Sequence, residues 1–120
     1  MPFNYLLTNL LVDVRGAVGA IFLDGEGEAV DWVTRHDDPY DLKVEGAYHS
    51  IFKRLIEEAN TLQAHGPLEC YVLESTRLVS LTQTLPEGYY IVLVLNRRSP
   101  RAQAMYHLRR AAKVIARELV

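Results

Sequence analysis

The chain has 120 residues and a mass of 13.6 kDa, and a folded chain of that mass exposes about 6,600 Å² against roughly 19,700 Å² unfolded. With 49% hydrophobic residues, 23% charged residues, a net charge of −2 and Cys70 as the single cysteine, it can bury a full core. A disordered chain, an internal disulfide framework and a cysteine-based zinc site are excluded. No apolar run approaches the ~18 residues of a membrane span, and Met1-Pro2-Phe3-Asn4 lacks the basic region of a secretory signal, so a soluble, cytoplasmic, single domain over residues 1–120 is expected.

Residues 2–13 place Phe3, Leu6, Leu7, Leu10 and Leu11 at spacings of three and four, which predicts a short amphipathic helix. Ala17 to Asp24 and Glu28 to Val33 are short apolar runs flanking Asp24-Gly25-Glu26-Gly27, and an Asp-Gly pair in that setting predicts a hairpin. After the polar stretch Thr34 to Asp41, with Asp41 as the expected N-cap, the longest helix is predicted from Leu42 to Ala64. Its apolar line is Val44, Ala47, Tyr48, Ile51, Leu55, Ala59 and Leu62, widened by Phe52 and Ile56. His65-Gly66-Pro67 supplies a glycine for the left-handed cap and a proline to stop the helix.

Leu68 to Leu73 and Arg77 to Thr84 read as strands joined by Glu74-Ser75-Thr76. Leu85 to Gly88 is a turn, and Tyr89 to Leu95 is apolar on both sides, the pattern of a central strand covered on both faces. Ser99 as N-cap and Pro100 at the first helical position open a last helix from Arg101 to about Leu119, lined by Met105, Leu108, Ala112, Ile115 and Leu119. This order predicts an α+β three-layer sandwich. A five-stranded, mainly antiparallel sheet carries the long helix on one face and the two terminal helices on the other.

Charge is uneven. Residues 97–120 hold seven basic side chains against Glu118 alone, a net +6, which leaves −8 on the first 96 residues. Aromatic residues are not interleaved with the basic ones as a nucleic-acid stacking platform requires, so a solvated helix face is the simpler reading and no nucleic-acid partner is expected.

Chemistry is sparse. The glycine pairs Gly16/Gly19 and Gly25/Gly27 form no phosphate loop. His36-Asp37-Asp38 is the densest ligand-like cluster, but adjacent residues rarely converge on one ion, and His36, His49, His65 and His107 show no metal spacing. Cys70 inside a strand reads as a small buried hydrophobe, and Glu57-Glu58 point in different directions on a helix. No catalytic residue, cofactor or metal is expected. The surface remains: the long helix has a wider apolar stripe than one sheet face demands. The strand Leu68–Leu73 would be an unprotected edge inviting a second copy. A homodimer follows as the expectation.

The run Val14-Arg15-Gly16-Ala17-Val18-Gly19-Ala20-Ile21-Phe22-Leu23-Asp24, continued by Gly25-Glu26-Gly27-Glu28-Ala29-Val30, resembles the opening of the Roadblock family. In that family a helix leads into a glycine-rich first strand and an Asp-x-x-Gly turn. Glu87-Gly88-Tyr89-Tyr90-Ile91-Val92-Leu93-Val94-Leu95 and the alanine-rich end Ile115-Ala116-Arg117-Glu118-Leu119 extend the resemblance, and the element order agrees over nearly all 120 residues. It is strongest to the small bacterial and archaeal members that regulate Ras-like GTPases, including the gliding-motility type.

The resemblance implies a profilin-like fold and a protein that is not an enzyme. It also implies dimerisation by pairing of third strands with the long helices side by side, and a helical face that engages a small Ras-like GTPase or serves as a scaffold. Carried onto this chain, Cys70, Tyr71, Val72 and Leu73 correspond to the dimer edge, and Ala47, Ile51, Phe52, Ile56 and Ala59 to the partner-binding helical surface. Arg15, Arg35 and Arg77 are the candidates for an arginine inserted toward phosphates; the resemblance does not support that role, and ordinary surface arginine is the better reading of each.

Overall fold

The computed structural model describes residues 3–119, so the predicted start of the first helix at residue 2 lies outside the described residues. In chain order the elements are α1 (Asn4–Asp13), β1 (Ala17–Leu23), β2 (Ala29–Thr34), α2 (Tyr40–Leu62), β3 (Cys70–Glu74), β4 (Leu78–Thr84), a single 3-10 turn (Pro86–Gly88), β5 (Tyr90–Asn96) and α3 (Arg101–Leu119). The strands form one antiparallel sheet in the order β2-β1-β5-β4-β3. β5 lies at its centre and is buried from Tyr90 to Leu95, as a run apolar on both sides requires.

Strand alternation divides the core into two layers. On one face Phe22, Leu81, Ile91, Leu93 and Leu95 meet Phe3 just ahead of α1, Leu7, Leu10 and Leu11 from α1, and Ala104, Leu108 and Ile115 from α3. On the other face Ile21, Leu23, Tyr90, Val92 and Val94 meet Leu42 of α2. The predicted three-layer α+β sandwich is therefore the observed architecture.

Local chemistry sets the element ends. In the β1–β2 turn, Asp24 Oδ1 accepts the backbone N–H groups of Glu26 and Glu28 at 2.9 and 3.0 Å. α2 begins earlier than expected: Asp41 is not the N-cap but an acidic residue of the first turn, and Pro39 precedes the helix while Asp38 Oδ1 accepts the Tyr40 N–H at 3.0 Å. The helix ends by a Schellman motif in which the Ala64 N–H reaches Thr61 O (3.2 Å) and the His65 N–H reaches Asn60 O (3.0 Å). Its left-handed residue is Ala64, with φ 56°, in place of the expected Gly66.

β3 starts at Cys70, two residues late; ahead of it the carbonyls of Leu68 and Glu69 share the Thr84 hydroxyl (2.8 and 3.0 Å), and Glu69 O also accepts the Thr84 N–H at 2.9 Å. Ser99 is not a side-chain cap for α3: its Oγ is buried without a hydrogen-bond partner among the described residues.

Candidate functional site

Helix α2 is turned differently from its apolar pattern. The residues it buries against the sheet are Leu42, Gly46, His49 and Lys53, a row stepping by four, three and four. At about 100° per residue, the line from Val44 through Tyr48, Ile51 and Leu55 to Leu62 is centred roughly 160° away from that row. Tyr48, Ile51, Leu55 and Leu62 are all exposed, Leu62 to 84%. Phe52 and Ile56, which only widen the stripe in the sequence, are the half-buried ones, while Ala47 and Ala59 are exposed. The apolar line of α2 is thus an outward surface.

Small and polar groups hold the inward row. A Cβ on Gly46 would stand 2.8 Å from Leu23 Cδ2, so glycine lets the helix approach the sheet, and the Tyr90 hydroxyl donates to Gly46 O at 2.9 Å. His49 is fully buried. Its Nδ1 lies 2.5 Å from the Tyr71 hydroxyl and 3.2 Å from Thr82 Oγ1, and its Nε2 lies 3.3 Å from Ser80 Oγ and 3.6 Å from Glu45 Oε2. We assign the proton to Nε2, facing Ser80 and Glu45, with Nδ1 accepting from Tyr71.

Burial pushes the Tyr71 phenol above its ordinary pKa, with the Glu45 carboxylate adding to the shift and the Thr82 hydrogen bond opposing it. Burial likewise pushes Tyr90 up to about 12, aided by Tyr71 beside it and by the Asp24 charge, against a hydrogen bond to Ser50. Lys53 pairs with Glu57 Oε1 at 3.3 Å and its Nζ stands 5.5 Å from the Tyr90 ring centroid. These inward residues were not legible as a contact row because glycine, histidine and lysine carry no apolar signal; the signal that could have found them is their spacing, matched by Ser80 and Thr82 on one side of β4.

The two edges of the sheet differ. On β2 both backbone groups of Trp32 are taken by side chains: its N–H donates to Asp31 Oδ1 (2.9 Å) and its carbonyl accepts from Asn4 Nδ2 (3.3 Å). Such occupation obstructs further pairing at the middle of this edge. β3 is the other edge, where Cys70 and Tyr71 are half-buried and Val72 and Leu73 exposed. Cys70 is therefore not the buried hydrophobe its strand position suggests; Arg109 Nη2 lies 3.5 Å from its Sγ. Tyr71 and Leu73 lie on the α2 side, and Leu73 shares a shallow cavity of about 390 Å³ with Tyr48, His49 and Phe52. The dimer-edge and helical-surface residues expected from the sequence thus border one another.

Elsewhere the structure supplies little chemistry. Among the described residues no group of three or more His, Cys, Asp and Glu side chains is arranged to hold a metal ion, and no helix is long and apolar enough to cross a membrane. Arg35 is tied down, its guanidinium donating to Ala17 O (2.7 Å) and Leu11 O (2.5 Å). Arg15 is exposed, and Arg77 lines the cavity beside Phe52. A cleft of about 800 Å³ with mixed polar and apolar walls lies between the C-terminal half of α2 and the β4–β5 turn, lined by Lys53, Glu57, Leu68, Thr84 and Tyr89 among others.

The architecture is that of a Roadblock/LC7 domain. The Roadblock/LC7 domain from Streptomyces avermitilis superposes with a TM-score of 0.89 at 19% identity, covering 97% of this chain and 96% of that one. The gliding protein MglB from Thermus thermophilus gives 0.84 at 19% identity over 94% of this chain and 84% of its own, and Myxococcus xanthus MglB gives 0.87 at 10% identity over 98% and 94%. No protein-family model and no curated protein sequence matches the chain. At these identities the likeness establishes the Roadblock/LC7 fold, the fold that the sequence resemblance implies.

Proposed function

We propose that this chain is a single-domain, cofactor-free, non-enzymatic homodimeric regulator that binds a small Ras-like GTPase in the cytoplasm and modulates its nucleotide cycle. One observation carries the reading: an α2 whose apolar line faces outward, beside a sheet edge left open, in a fold shared with the gliding protein MglB. A soluble protein that leaves Tyr48, Ile51, Leu55 and Leu62 in one exposed row presents them to another protein surface. Cys70, Tyr71, Val72 and Leu73 supply the edge for a second copy. Ala47, Ile51, Phe52, Ile56 and Ala59 form the surface that the paired helices offer to the GTPase.

The test is capture from a lysate of the source organism with a GTP analogue or GDP added, followed by rates on the recovered GTPase. Nucleotide-dependent recovery of a small GTPase, with hydrolysis or exchange altered at saturating regulator, is the expected result. Recovery with both rates unchanged would leave a Roadblock-type scaffold, and partners indifferent to nucleotide with no GTPase among them would remove the GTPase reading.

A further inference from the structure

The open edge of β3 has a backbone polarity that fixes how a second copy can join it. Within the β3–β4 pair, Cys70 faces Gln83, Val72 faces Leu81 and Glu74 faces Val79. The Thr84 N–H donates to Glu69 O and the Ser75 N–H to Leu78 O. Odd-numbered residues therefore direct their backbone groups at β4, and by alternation Cys70, Val72 and Glu74 direct theirs outward.

Two copies joined antiparallel in one continuous sheet are related by a two-fold axis normal to it. Residues opposite one another then lie on the same face, so their numbers share parity and the axis passes through a single residue: Tyr71, Val72 or Leu73. With Val72 on the axis, the outward pairs are Val72 with its own counterpart and Cys70 with Glu74, twice, for six hydrogen bonds across all five residues of the strand. An axis at Tyr71 or Leu73 keeps four.

Side chains favour the same register. With Val72 central, Tyr71 stands opposite Leu73 on the α2 face, an aromatic–aliphatic pair. An axis at Tyr71 sets Leu73 against Glu69, and an axis at Leu73 sets Tyr71 against Ser75. On the α3 face the central register brings the carboxylate of Glu74 opposite Cys70, where Arg109 already lies 3.5 Å from the sulfur. Within its own protomer Glu74 holds Arg97 (3.5 Å) and Arg101, so a third guanidinium completes a cluster on an exposed acid.

We infer that a second copy of this chain pairs along β3 with Val72 on the two-fold axis, and that Arg109 of each protomer forms an ion pair with Glu74 of its partner and so fixes the register. The inference rests on the homodimer proposed above. It is tested by sedimentation together with oxidation of single-cysteine variants in a Cys70→Ser background. Opposed hydrogen-bonded residues have Cα atoms about 5.5 Å apart, within disulfide range, so Val72→Cys is expected to cross-link to itself and Leu73→Cys is not. Arg109→Glu is expected to raise the dimer dissociation constant roughly 3–30-fold at low ionic strength, less in 1 M salt.

A dimer that cross-links at Leu73 and not at Val72 overturns the register while leaving the dimer standing. A dissociation constant unmoved by Arg109→Glu overturns the ion pair. A chain that stays monomeric at all concentrations overturns the homodimer itself, and the register with it.

Discussion

Where α1 and α3 cover the sheet, the contact is apolar from end to end: Phe3, Leu7, Leu10, Leu11, Leu108 and Ile115 close over Phe22, Leu81, Ile91, Leu93 and Leu95. Where α2 covers the opposite face, its buried row contributes one leucine, one glycine, one histidine and one lysine. Burying a leucine-sized side chain stabilises by about 1.5–3 kcal/mol. The first face is therefore held by solvent exclusion, and the second chiefly by close approach at Gly46 and the hydrogen bonds of His49 and Tyr90. The contrast teaches where the apolar residues of α2 belong. A helix that needs few of them to dock on its own sheet carries them on the other side, for a surface outside the protomer.

Truncation on the apolar face is expected to have the largest effect. Phe22 is fully buried and packs edge-on against Phe3 with ring centroids 5.0 Å apart. Phe22→Ala should cost about 3–5 kcal/mol, since the α1 layer cannot collapse into the void; chemical denaturation would measure it. His49→Ala tests the polar face. It removes the shared partner of Tyr71, Thr82 and Ser80 and should cost about 2–4 kcal/mol. The sharper distinction lies in hydrogen exchange: amides of α2 and β3 should open early in the His49 variant, whereas the Phe22 variant should lower protection throughout. Uniform loss of protection in both would mean that the two layers unfold as one unit.

Alkaline titration separates the faces again. Tyr90 titrates at about 12 in the folded chain, against an ordinary value of 10.0. A phenol whose folded pKa is raised stabilises fully below its unfolded pKa, and that contribution is lost as pH rises through the folded pKa. Stability should accordingly fall by about 2 kcal/mol between pH 10 and 12, with Tyr71 acting in the same direction. Tyr90→Phe should be less stable at pH 8, having lost the bond to Gly46 O, and flatter above pH 10. An equally steep decline in Tyr90→Phe would transfer the effect to other groups.

The faces also differ in how legible they were. α1, α3 and β5 follow from the sequence because their apolar periodicity coincides with their burial: Leu7, Leu10 and Leu11, or Leu108 and Ile115, are where a helix stripe puts them. In α2 the two come apart. The strongest periodic signal, from Val44 to Leu62, marks the outward surface, while the inward row is silent on any hydrophobicity scale. The width of the stripe pointed to a partner, yet it gave no orientation. The open edge at β3 follows from element order, but the guarded edge at β2 depends on Asn4 reaching a residue 28 positions away, a contact no local pattern encodes. Ala64 was hidden for a related reason: the two Schellman bonds impose the left-handed backbone on it, whereas residue preference points to Gly66.

That position offers a smaller, stabilising change. Ala64→Gly relieves the steric cost of a left-handed alanine and loses part of the gain to a more flexible unfolded chain. The expected net is about 0.5–1 kcal/mol in favour of the folded state. A melting temperature unchanged or lowered would mean that the motif is frayed in solution.

The smallest effect on stability is expected where the effect on association is greatest. Ile51 lies on the outward row of α2 and is 45% exposed, without a place in either core layer. Ile51→Arg should leave the stability of the isolated protomer within about 0.5 kcal/mol, as surface substitutions do. Capture of the GTPase should fall sharply, while the dimer joined through β3, and the concentration dependence of the melting temperature that it confers, should remain. Phe52 and Ile56 are less clean probes because both are half-buried against their own protomer. If Ile51→Arg unfolds the dilute protomer, the outward row is supporting the domain itself and the two faces are less different than they look; if it abolishes capture alone, the division between them is functional.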